Sequence, residues 1–165
     1  MRTKLLLWSV ATVLAACTSV SVLRATGASG FTPTTLAVGR FDEINVLNST
    51  RPKFWAALLK TEGLSDVYVQ SNVWEPGGTT GWHTHPGHSL IIVTAGIVTA
   101  YEGDDPTCTP HVYTQGMGFV DPGGGHVHVL RNESATVEAR TVAVQLIPAA
   151  AGRRIDAPNP GNCSF

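Results

Sequence analysis

An all-β fold, a small antiparallel β-barrel, is predicted from three features of the 165-residue sequence. Apolar residues recur in short runs or with a period of two, and no long stretch carries the 3.6-residue period of an amphipathic helix. Seventeen glycines and ten prolines punctuate those runs, as hairpin turns require. No internal repeat is present, and removing an N-terminal leader leaves about 135 to 140 residues, one domain's worth and enough to bury a core.

Arg2 and Lys4 precede a nearly unbroken apolar run from Leu5 to Ala16, the charged and apolar regions of a secretory signal, too short to span a membrane. Leu14-Ala15-Ala16-Cys17 also matches the bacterial lipobox, in which the cysteine becomes the lipid-bearing first residue. The alternative is an apolar region continuing to Leu23 with cleavage between Ala25 and Ala28. Both place the protein outside the cytoplasm, either secreted or held by a lipid on Cys17 to the outer face of the cell membrane. Residues 1–27 are therefore assigned to the signal and the start of a tether, and 28–165 to a single barrel domain with an extended C-terminal tail. Without Arg2, Lys4 and Arg24 the net charge falls from −1 to −4. No basic cluster remains to neutralise phosphates, which excludes nucleic acid as a partner.

Ala25 to Pro33, rich in Gly, Ser, Thr and Ala, reads as a mobile tether. From Thr34 the pattern turns to strand: Leu36 to Gly39, then Phe41, Ile44, Val46 and Leu47, with a break at Asn48-Ser49 and Pro52. Phe54 to Lys60 is a strand by length, although Ala-Ala-Leu-Leu-Lys has helical propensity. Asp66 to Trp74 alternates Val67, Val69, Ser71 and Val73 against Tyr68, Gln70, Asn72 and Trp74. Leu90 to Val93 is a buried-strand run following the Pro86-Gly87 turn, Ile97 to Tyr101 continues as strand, and Glu102 to Pro106 turns. Thr136 to Ile147 is a further strand, closed by Pro148. The tail Ala149 to Phe165 is expected to wrap the outside of the barrel without joining the sheet. With Cys17 spent on the signal or a lipid, Cys108 and Cys163 form an even pair in loop-like sequence, and a disulfide between them is expected.

Five of the six histidines fall into two segments. His83 and His85 are two apart, so in a strand both rings point to one face, as a shared metal requires. In Gly116 to Asn132, His126, His128 and Leu130 share one face and Val127, Val129 and Arg131 the other. His88 is read as a loop or rim residue and His111 as surface.

These two segments resemble the cupin superfamily. Its first motif places a glutamate three or four residues after a His-x-His and a glycine beyond it. Here Pro76-Gly77-Gly78 leads into His83-Thr84-His85, and Gly96 follows at the right distance, but Ser89 stands where the glutamate belongs. In the second motif Gly116, Pro122, His128 and Asn132 keep the family spacing except for one extra residue in Gly123-Gly124-Gly125. The resemblance covers roughly residues 67 to 148. It implies a jelly-roll barrel in which His83, His85 and His128 bind a divalent transition metal (Fe, Mn, Ni, Cu or Zn), with open positions left for water, dioxygen or substrate. His126 becomes a candidate acid/base, a group acting behind the ligands, or a ligand. Ser89, His88 and His126 all remain open as the glutamate's replacement. The function expected is a metal-dependent, mono- or dioxygenase-like oxidoreductase acting on a small molecule. The alternatives are a non-catalytic extracytoplasmic module for a small ligand or metal, and a metal-free structural barrel. A homodimer is compatible with each.

Overall fold

A computed structural model describes residues 25–50 and 55–165. The expected signal segment, with Cys17, lies outside the described residues, as does Phe54.

Among the described residues strands alone make up the regular structure: β1 (Ser29–Phe41), β2 (Asn45–Thr50), β3 (Trp55–Lys60), β4 (Ser65–Thr79), β5 (His83–Thr84), β6 (Ser89–Ala95), β7 (Ile97–Glu102), β8 (His111–Thr114), β9 (Gly118–Asp121), β10 (His128–Arg131), β11 (Ala139–Pro148) and β12 (Ile155–Asp156). One sheet has the neighbours β1-β4-β11-β6-β9, the other β12-β5-β10-β7-β8, and every pairing is antiparallel. Arg131 of β10 pairs with Thr79 at the far end of β4, which joins the two layers into a nearly closed barrel. The β2–β3 hairpin stands apart as its own two-stranded sheet.

Two apolar clusters pack on the two faces of the barrel wall. Trp74, Val93, Val98, Ala100, Leu130 and Ala139 form one, with Phe31, Tyr113 and Phe119 packed against it. Trp82, Val129, Ala157 and Cys163 form the other, beneath the C-terminal tail. On β4 the polar-aromatic row Gln70, Asn72 and Trp74 faces inward, where it lines a cavity, and the alternate valine row faces away.

Three expectations are corrected by sheet pairing. Residues 29–33 are not a tether: Phe31 pairs with Trp74 and its ring lies 4.8 Å from the indole, so one aromatic in a small-residue segment suffices to dock the backbone on the free edge of β4. Asn48 and Ser49 do not break a strand but sit within β2 opposite Ala57 and Ala56, the ladder supplying what propensity does not. The tail does join the sheet, since Ile155 and Asp156 pair with Thr84 and His83.

Asp66 ties three segments together. Its carboxylate accepts two hydrogen bonds from Arg40 of β1, at 2.8 and 2.9 Å, and one from the Ala150 N–H at 2.8 Å. The hydrogen bond from Arg40, then that from Ala150, holds its pKa down to about 2. A carboxyl whose folded pKa is depressed stabilises the protein above its unfolded pKa and loses that contribution as pH falls through the folded one. The stability of the wild type is therefore expected to fall between about pH 4 and pH 2. Asp66→Asn should be less stable at neutral pH and show a shallower fall in that window, measured by urea unfolding across pH.

Candidate metal centre

β5 is two residues long and is held from both sides. His83 faces His128 of β10 across one ladder and Asp156 of β12 across the other. Directly opposed residues of an antiparallel pair project to the same face, so the His83 and His128 rings meet, with centroids 4.4 Å apart. His85, one residue beyond β5, brings its ring to 4.9 Å from His83 and 5.7 Å from His128. The ligating nitrogens of the three lie within 4.8 Å of one another. The structure thus brings together the three motif histidines, His83 and His128 buried and His85 half-buried.

Backbone carbonyls set the ring orientations. His83 Nδ1 lies 2.9 Å from the Gly81 carbonyl, and His85 Nδ1 is hydrogen-bonded to the Arg153 carbonyl. A carbonyl needs a donor, so Nδ1 carries the proton in each and Nε2 is left with its lone pair, the form that ligates a metal. Burial, and then the nearby His128, Arg154 and His85, push the His83 pKa down to about 2. Burial lowers that of His128 to about 4, against the opposing pull of Asp121. Neutral imidazoles converging on one point are the donor set that a divalent first-row metal takes, so the residues fit such an ion.

The histidines open on a cavity of about 80 Å³. Phe31, Trp74, Ile91 and Leu130 give it apolar walls, and Arg153 and Arg154 add positive charge. Trp74 Nε1 and Gln145 Oε1 are buried there without a hydrogen-bond partner, which equips the cavity with one free donor and one free acceptor.

The remaining sequence candidates fall outside the three-histidine group, although His126 forms a second possible metal-holding group with Asp121 and His128. Ser89, buried at the start of β6, lines the cavity. His88 sits in the loop before it and is in no ligand group among the described residues, and His111 is exposed. His126 does not share a strand with His128, because β10 begins only at His128. The Gly123-to-Gly125 turn, closed by the His126 N–H on the Gly123 carbonyl, displaces it. Its Nε2 lies 3.4 Å from Glu102 Oε2 and 3.8 Å from Asp104 Oδ1, and burial raises the Glu102 pKa. Asn132 of the second motif is structural: its Nδ2 donates to the carbonyls of Trp74, Glu75 and Val137. Cys108 and Cys163 are joined in a disulfide.

Sequence reading missed Asp121. This buried carboxylate at the end of β9 stands 3.5 Å from His85 Nε2 and 3.7 Å from His128 Nδ1. A charged residue closing the apolar run Phe119-Val120 beside the motif proline was the available signal.

The model of the family described as "Cupin domain" matches residues 72–145. No curated protein matches the chain. Among solved structures, a cupin-like protein from Thermotoga maritima is 25% identical with a TM-score of 0.48, over 56% of this chain and 65% of that one. A cupin domain from Bordetella pertussis is 21% identical with a TM-score of 0.46, over 76% and 98%. An oxalate oxidase is 24% identical with a TM-score of 0.42, and this chain spans 46% of its length while half of this chain is covered. With both histidine motifs facing one interior, an antiparallel barrel around them and the family model spanning the two, residues 72–145 form a cupin domain.

Proposed function

We propose that this is an exported metal-binding cupin whose three-histidine site works on a small molecule inside the barrel, as a metal-dependent dioxygenase-type oxidoreductase. The observation that carries the reading is the convergence of His83, His85 and His128 with the Nδ1 atoms of His83 and His85 tied to backbone carbonyls. A bound transition metal supplies Lewis acidity and, where redox-active, a route for electrons between substrate and dioxygen.

The chain's own residues define the rest. A cavity of about 80 Å³ admits a molecule of only a few non-hydrogen atoms. Arg153 and Arg154 favour an anionic group on it. Arg154 is fixed by Asp156 and by the Thr80 carbonyl, both at 2.6 Å, so its charge is held in place. Trp74 Nε1–H and Gln145 Oε1 orient the ligand by hydrogen bonds, while Phe31, Ile91 and Leu130 keep water from the remaining surface. A second reading, binding without turnover, is favoured by Ser89 in the place of the family's glutamate. The Cys108–Cys163 bridge is consistent with export.

Protein purified from native cells without an affinity tag tests the proposal. Elemental analysis should find about one transition metal per chain, intact mass should show the first 16 residues or more removed, and oxygen should be consumed with one of a panel of small carboxylates, diketones and thiols. Metal without oxygen consumption across the panel selects the second reading, an intact Met1 removes export, and a protein that neither carries nor takes up metal removes both readings.

A further inference from the structure

Asp121 is buried to 3% side-chain exposure and poorly satisfied. Oδ1 accepts the Gly123 N–H at 2.9 Å, but Oδ2 has no hydrogen-bond partner. A buried carboxylate oxygen without a donor is costly unless a cation is its intended neighbour. Oδ2 faces His85 Nε2 at 3.5 Å, and the Arg153 carbonyl on Nδ1 has already fixed that nitrogen as the lone-pair side of the ring. Two lone pairs aimed at each other repel unless a positive charge stands between them. Two donors sharing one ion at about 2.0 to 2.2 Å lie roughly 3 to 3.5 Å apart, so this spacing is that of neighbouring ligands.

We propose that Asp121 is the fourth, anionic ligand of the metal site. Ser89 of β6 and Asp121 of β9 are paired residues on adjacent strands. The carboxylate that the first motif lacks at Ser89 is thus delivered from directly across the ladder, by the residue before the second motif's proline. The chain turns sharply enough to continue from Asp121 to His128 because Gly123 has φ +64° and packs on the Gly87 backbone, where a Cβ would collide with the Gly87 carbonyl. Three neutral imidazoles and one carboxylate lower the charge of a divalent site and favour Mn, Fe or Zn over monovalent copper. The inference rests on the metal-binding reading above.

Calorimetric titration of the apo protein with Mn²⁺ and Co²⁺, together with the visible spectrum of the Co²⁺ form, tests it. Residues that act on a metal through another ligand cost about 10- to 100-fold in affinity when replaced. The isosteric Asp121→Asn should lose more than about 100-fold and shift the Co²⁺ bands, with an unchanged far-ultraviolet spectrum showing that the fold is kept. Adding Ser89→Glu to Asp121→Asn should regain affinity, by returning a carboxylate from the other side of the ladder. Asp121→Asn binding within about tenfold of wild type with unmoved Co²⁺ bands, while His83→Ala fails to bind, would overturn the fourth ligand and leave the three-histidine site standing. Wild type that binds neither ion would overturn the site itself.

Discussion

Alanine at His83, His85 or His128 is expected to lower divalent-metal affinity by a factor on the order of 1,000 or more, above the 10- to 100-fold that groups behind a ligand cost. The three donors come from two strands and one loop, and His126, the further histidine beside them, groups with Asp121 and His128 but not with His83 or His85. The variants differ in what else they disturb. His83→Ala orphans the Gly81 carbonyl and leaves a void where a ring was 3% exposed, so some stability is lost with the metal. His85 is half-buried, and His85→Ala should keep its fold and report on binding alone. His126→Ala is expected to cost less than about tenfold, because its Nε2 is turned to Glu102. Titration of each apo variant, with thermal melts to confirm folding, checks the order. Equal metal content in His83→Ala, His85→Ala and wild type would show that these histidines are not metal ligands.

Replacing both Cys108 and Cys163 with serine is expected to lower the unfolding free energy by roughly 4 kcal/mol in the chain-entropy account, for a bridge spanning 55 residues. The local packing argues against a smaller figure. Cys163 is 8% exposed among Trp82, Val129 and Ala157, so the substitution also puts a hydroxyl into an apolar cluster. What still restrains the tail is Asn162, whose Nδ2 donates to the carbonyls of Glu102 and Asp105 at 2.8 and 2.6 Å. Urea unfolding of the double variant, and of wild type with and without reductant, measures the loss. A difference below about 1 kcal/mol would mean that the bridge contributes little.

Much of the barrel was legible because strand alternation needs no partner to be seen. Asp66 to Trp74 emerges within β4 and Thr136 to Ile147 as a strand that starts only at Ala139 and runs through Pro148, both with the expected alternation. Which face turned inward was harder, since on β4 the interior row is Gln70, Asn72 and Trp74 and the valines lie outside. A barrel built around a polar cavity inverts the usual reading of alternation. The histidine grouping was legible from spacing and motif order. Asp121 was not, because its role depends on cross-strand register, and nothing in the chain announces that residue 121 lies opposite residue 89. The same holds for β12, the pair of residues directly following Arg153-Arg154, whose pairing with β5 no local pattern foretells.

The pairing of β12 with β5 also sets a schedule. His83 is fixed between residue 128 on one side and residue 156 on the other, and the carbonyl that orients His85 belongs to residue 153. The Thr26 N–H reaches the Ala157 carbonyl, and Ala25 bridges to Pro158, so the first described residues are also tied to the last. Contacts of such long sequence separation close late, after the entropy of the intervening loops has been spent. The arrangement of His83 and His85 is therefore complete only once residues 153 to 157 have docked against β5. Any ion that the three histidines take up would accordingly be taken up after that docking, from the compartment in which the chain completes its fold.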